Sequence, residues 1–215
     1  MKGMFLYGAN CTLDVWDRFK PHFNEPDTIY TAYPHTVTRQ AESVSDIAHW
    51  VFETCQNDQP LDFIVGHSMG GIIALELAVK YAFQCRKVIL IESNLKPANV
   101  FYRNLMTEQN MKTFGEQIMA MIQNEAPFYS SALKSSLQED FDYSDFVRRC
   151  PVQVYGIYGD RGVENYPARI SDLCLEKDIQ ENIQFQFVRD ACHMPMVENP
   201  EALAAVIKHI CTSSE

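Results

Sequence analysis

Leu61-Asp62-Phe63-Ile64-Val65-Gly66-His67-Ser68-Met69-Gly70-Gly71-Ile72-Ile73-Ala74-Leu75-Glu76-Leu77-Ala78 sets a serine between two glycines where an apolar run changes character. The residues before the first glycine are apolar and partly β-branched, the composition of a strand buried on both faces. Those from Ile72 to Tyr81 read as a buried helix. Gly66-x-Ser68-x-Gly70 alone says little, because such a pentapeptide arises by chance in roughly one chain of this length in fifteen. Its position between a strand and a helix makes it specific. The turn is sharp enough that a side chain at Gly66 or Gly70 would collide with neighbouring elements. It lifts the Ser68 hydroxyl clear of the strand and places it at a helix N-terminus, where free amides and the helix dipole favour negative charge.

The chain of 215 residues suits a single domain, 1–215, with a full hydrophobic core. Its hydrophobic content of 47% and charged content of 21% are those of a soluble globular protein. A net charge of −10 argues against nucleic acid as a partner, since a phosphate backbone requires a basic face. Met1 to Gly8 lacks the apolar core and cleavage site of a signal peptide, and no apolar run approaches a membrane span. Seven cysteines without a Cys-x-x-Cys pair fit reduced thiols in a cytoplasmic protein. Histidines and cysteines with metal-ligand spacing are missing, as is a phosphate-binding glycine loop, so neither a metal nor a cofactor is implied. The sequence carries no signal of oligomeric state.

Strands are expected at Met4–Tyr7, Ile29–Ala32, Phe63–Val65, Val88–Ile91, Val152–Ile157 and Phe185–Val188. Helices are expected at Asp14–Lys20, Val44–Cys55, Gly71–Phe83, Ala168–Lys177 and Glu201–Cys211. This alternation implies an α/β fold, with a parallel sheet between two helical layers. One segment, 96–147, breaks the pattern. It is about 50 residues long, contains no strand, and is rich in Met, Phe and Tyr, too long for a plain connection. It is expected to form a helical cap over the sheet's carboxyl edge.

A serine hydroxyl near neutral pH is a weak nucleophile and needs a base, which in turn needs an orienting acid. Of six histidines, His193 alone occupies a loop between the last strand and the last helix. Such loops share the carboxyl edge of a parallel sheet with Ser68. His67 adjoins the serine but should point away from it, and His49 and His209 lie within helices. Asp160 follows the fifth strand in Tyr158-Gly159-Asp160-Arg161-Gly162 and is the favoured acid. Glu92, after the fourth strand, competes with it. The oxyanion requires two backbone amides. Met69, directly after the serine, supplies one, and Ala9 in the loop after the first strand supplies the other.

Together these residues resemble the α/β-hydrolase superfamily, serine esterase-like branch. Tyr7-Gly8 followed by Trp16 is similar to that branch's first-strand motif, with tyrosine in place of histidine. Gly159-Asp160 and His193-x-Pro195-x-x-Glu198-x-Pro200 also match, and the order Ser68, Asp160, His193 is the superfamily's. The resemblance implies a three-layer α/β/α sandwich with a mostly parallel six-stranded sheet. Two N-terminal strands common in the family are missing from this sequence, which predicts a sheet parallel throughout. Ala32-Tyr33-Pro34-His35-Thr36 stands where the family has a glycine-rich loop, so that pocket wall is expected to differ. A serine at position 68 excludes the aspartate-nucleophile branches.

The expected activity is hydrolysis of a small-molecule carboxylic ester or thioester with a small to medium acyl group, through an acyl-enzyme. The apolar insertion suggests an apolar acyl pocket. An acyltransferase or a carbon–carbon bond hydrolase or lyase would use the same triad. A non-catalytic binding module on this scaffold is the remaining reading.

Overall fold

The computed structural model describes residues 1–138 and 141–213. Six strands, β1 (Gly3–Leu6), β2 (Thr28–Thr31), β3 (Phe63–His67), β4 (Lys87–Ile91), β5 (Gln153–Gly159) and β6 (Ile183–Val188), form one sheet. Their order is β2-β1-β3-β4-β5-β6, and every pairing is parallel, as the sequence predicts. β3 and β4 are wholly buried, which explains their unbroken apolar runs.

The nine helices of the described residues are α1 (His35–Gln40), α2 (Val44–Cys55), α3 (Met69–Lys80), α4 (Glu108–Glu125), α5 (Ser131–Ser136), α6 (Ser144–Arg149), α7 (Lys177–Glu181), α8 (Pro195–Glu198) and α9 (Pro200–Thr212). Strand parity assigns them to layers. Gly66 packs on the backbone of α3, which places α3, with α2 beside it, on the Ile64–Gly66 face. Phe63 and Phe5 look the other way, into an aromatic cluster in which the Trp16 and Tyr30 rings lie 5.2 and 5.0 Å from Phe5. α9 covers that face beside β6, and the Lys208 ammonium sits over Phe23. α3 is apolar on nearly all sides because it is buried on nearly all sides.

Two expected helices are different in the structure. Asp14–Lys20 is not one helix: short 3₁₀ turns at Leu13–Trp16 and Lys20–His22 aim Trp16, Phe19 and Phe23 at Phe5. Ala168–Lys177 is broken too, because Cys174 takes φ +57° and ends a 3₁₀ turn at Ser171–Leu173 before α7 begins. α1 starts directly after Pro34, in the stretch where the sequence implies only an altered loop.

Between β4 and β5 the described residues of the insertion are helical, with α4, α5 and α6 and no strand. Glu139 and Asp140, within the expected cap 96–147, lie outside the described residues. No described helix is long and apolar enough to cross a membrane.

Candidate active site

The carboxyl ends of five strands each lead into a non-glycine residue with a left-handed backbone: Asn10 (φ +59°), Ser68 (+52°), Glu92 (+49°), Arg161 (+57°) and Asp190 (+51°). Such conformations are costly and persist only where the surrounding structure enforces them. At Ser68 the enforcement is visible. A Cβ on Gly66 would lie 2.1 Å from the Gly70 carbonyl oxygen, and one on Gly70 would lie 2.4 Å from that of Leu6. The Ser68 N–H continues the sheet by donating to the Ile91 carbonyl (2.9 Å). Both glycines are therefore required by real contacts. The loop after β1 also approaches closely, since a Cβ on Gly8 would lie 2.9 Å from the Ser68 Cβ. That brings Ala9 beside the serine.

Ser68, Met69, Ala9 and His193 line one cavity of about 260 Å³ with Asn10, Ile72, Glu92, Asn94, Lys134, Leu137, Gln138 and Phe141. A larger groove, about 870 Å³, opens at the opposite edge of the sheet around Lys87, Cys150 and Cys211, away from the serine. From the insertion, α5 and the chain after it supply Lys134, Leu137, Gln138 and Phe141. None of its methionines lines the cavity: Met106 is buried elsewhere, and Met111 and Met119 on α4 are each 38% exposed. Of the expected apolar acyl pocket, the insertion contributes Leu137 and Phe141 beside Met69 and Ile72, together with the polar Lys134 and Gln138. Residues 32–36 do not line it either. Instead the Tyr33 ring packs against Tyr7 at a 51° tilt, and Tyr7 accepts the Tyr33 N–H at its phenolic oxygen (2.8 Å), so the tyrosine in the family's histidine position ties β1 to that loop.

Asp160, the favoured acid, faces elsewhere. Its Oδ1 accepts the N–H groups of Gly162 and Asp190, both at 2.8 Å, and holds the two loops together. The carboxylate beside the histidine is Glu92, with Oε2 3.7 Å from His193 Nδ1. Glu92 is fully buried and accepts the Gly159 N–H at 2.6 Å. Arg161 clamps both of its oxygens, Nη1 to Oε1 and Nη2 to Oε2, each at 2.6 Å. Burial pushes the Glu92 carboxyl up, but the Arg161 hydrogen bonds and the charge of Arg161, with His193 close by, outweigh it and hold the group below its ordinary 4.5.

The His193 loop is secured from three sides. His67 Nε2–H donates to the His193 carbonyl (2.9 Å), the His193 N–H donates to the Asn104 carbonyl (3.3 Å), and Glu198 accepts the N–H groups of Cys192 (2.7 Å) and Met194 (3.3 Å). Glu198 also accepts from the Thr107 N–H and Asn110 Nδ2, joining this loop to the start of α4. Burial, reinforced by the nearby His193, keeps His67 neutral, well below its ordinary 6.5. Sequence reasoning missed Arg161, Glu198 and the supporting role of His67. Adjacency to Asp160, the His193-to-Glu198 motif and adjacency to Ser68 were the signals that could have found them.

A family profile described as serine aminopeptidase, S33, matches residues 33–151. No curated protein sequence matches the chain. Solved structures share the fold at low identity. A hydrolase from Oleispira antarctica superposes with a TM-score of 0.74 at 13% identity, covering 100% of this chain and 92% of its own. A thermophilic esterase from Thermogutta terrifontis gives 0.73 at 16%, covering 98% and 89%. A thioesterase domain from the curacin biosynthetic pathway gives 0.65 at 16%, covering 96% and 90%.

Proposed function

Because the chain belongs to the serine aminopeptidase S33 family of α/β-hydrolases, we propose that it is a serine hydrolase cleaving a carboxylic ester or thioester with a short acyl group. The observation that carries the reading is the convergence of Ser68, His193, Met69 and Ala9 on one cavity, with Glu92 behind the histidine. In this reading His193, with its proton on Nδ1 toward Glu92, accepts the Ser68 proton at Nε2 as the hydroxyl attacks the acyl carbon. The Met69 and Ala9 amides hold the oxyanion. The imidazolium then protonates the departing alcohol or thiol. Water, deprotonated by His193, attacks the acyl-enzyme and restores Ser68.

The acid of this triad is Glu92, and Asp160 is a loop brace. The insertion acts as a cap through α5, whose residues bound the acyl space. The cavity of about 260 Å³ lies below the ~300–1,000 Å³ of sites for drug-sized ligands, which favours short acyl chains. Turnover of p-nitrophenyl butyrate, with short acyl-CoA thioesters in parallel, tests the assignment. Ser68→Ala and His193→Ala are each expected to lose at least ~10³-fold. Retained turnover in either variant would remove the mechanism.

A further inference from the structure

Arg161 is an unusual residue to find behind a catalytic histidine: its side chain is only 3% exposed, and its partner Glu92 is 0% exposed. It is itself firmly placed. Nε donates to the Phe101 carbonyl (3.1 Å), Nη1 also donates to the Gly159 carbonyl (2.6 Å), and the guanidinium lies 4.4 Å from the Tyr102 ring centre. Its own left-handed backbone, φ +57°, turns the side chain back beneath the strand end.

We propose that Arg161 is a positioning residue for hydrolysis: its two-pronged grip fixes the Glu92 carboxylate under His193 and keeps it charged. The proposal rests on the assignment of Ser68 and His193 as nucleophile and base. A buried carboxylate without a cation takes up a proton, and a protonated Glu92 would no longer stabilise an imidazolium. Among the described residues Arg161 is the cation bonded to Glu92; Lys134 lines the same cavity but turns its ammonium to the Ala126 carbonyl (3.2 Å). Besides Lys134, the titratable groups facing Glu92, Arg161 and His193 among the described residues are His67 from β3, Tyr102 from the 3₁₀ turn at Val100–Tyr102, Tyr158 from β5, and Cys192 beside His193. Burial keeps His67 neutral well below 6.5, raises both tyrosines beyond their usual range, and pushes Cys192 up to about 12. The two tyrosines and Cys192 therefore stay neutral over the acid range in which a carboxylate changes charge. A fork is needed rather than a point charge because both oxygens must be held to fix the plane of the carboxylate.

The test is the pH dependence of kcat/KM with p-nitrophenyl butyrate for the wild type, Arg161→Met, Arg161→Lys, Glu92→Gln and the Arg161→Met/Glu92→Gln double variant. Arg161→Met should lower kcat at pH 7 by roughly 10–100-fold with KM within about threefold, and move the acid limb up by about one pH unit or more. The double variant should be within about threefold of Glu92→Gln alone, because Arg161 acts through Glu92. A purely structural ion pair would leave the limb in place and make the losses multiply, and either result overturns the proposal. Should Arg161→Met fail to fold, Arg161→Lys decides. It retains the charge without the fork, and is expected to keep the acid limb and lose about tenfold in kcat. A kcat within twofold of wild type would overturn the proposal. If instead the wild type neither turns over ester nor labels at Ser68, the site assignment has failed rather than this inference.

Discussion

Glu92 Oε2 stands 3.7 Å from His193 Nδ1, and no sequence separation hints at it, because the two residues are 101 positions apart on loops after β4 and β6. The contact is longer than a hydrogen bond while Arg161 holds the same oxygen. Contacts of this kind shorten when charge develops on the base.

This relationship separates two carboxylates that look equivalent in sequence. Glu92→Gln should reduce ester kcat by roughly 10³–10⁴-fold, the scale seen when a triad acid is made neutral. Asp160→Asn should cost less than about tenfold, through loosening of the Gly162 and Asp190 amides. Steady-state kinetics on the two purified variants check this, and the reverse ranking would return the role to Asp160.

Glu92 should also leave a mark on stability. Its carboxyl is held below 4.5 in the folded state, so unfolding takes up a proton as pH falls below 4.5. The stabilisation is fully present above pH 4.5 and is lost as pH drops toward the folded-state value. Glu92→Gln should therefore flatten the decline of unfolding free energy below pH 4.5, by up to about 1.4 kcal/mol per pH unit. Urea unfolding from pH 3 to 6 measures it. Parallel curves for the two proteins would contradict the assignment.

Glu198 is expected to matter for the His193 loop. Its four donors, from Cys192, Met194, Thr107 and Asn110, leave no room for the NH₂ of an amide. Glu198→Gln should cost about 1–3 kcal/mol of stability, since buried amides would lose their acceptor. Denaturant midpoints report the loss, and kcat should fall with it by about tenfold.

Acyl-chain selection should follow the cavity. Among p-nitrophenyl esters, kcat/KM is expected to peak between acetate and hexanoate and to fall at least about tenfold by dodecanoate. Leu137→Ala, which removes a wall of the cavity, should shift that optimum to longer chains. An optimum at long chains in the wild type would show that α5 does not bound the acyl site.

Much of the fold is legible in the amino-acid sequence. Phe63-Ile64-Val65 and Val88–Ile91 announce central strands because a strand covered on both faces must be apolar at every position. The Ser68 elbow is legible because Gly66 and Gly70 have backbone atoms where a Cβ would sit. The choice between Glu92 and Asp160 is not. Both follow strands at the same edge, and only side-chain direction, set by φ at residue 92 and the Arg161 clamp, distinguishes them. The methionines of α4 mislead for a similar reason. Their composition suggests an acyl pocket, but α4 packs beside α8 while α5 reaches the cavity. Asp14–Lys20 has a helix-like composition, yet the aromatic cluster on Phe5 favours two tight turns.

The most direct measurement is intact mass spectrometry after exposure to a fluorophosphonate, followed by peptide mapping. One adduct is expected, located on Ser68, with none on Ser68→Ala and labelling slowed at least ~10³-fold in His193→Ala. Equal labelling of wild type and Ser68→Ala would contradict the assignment of Ser68 as the nucleophile.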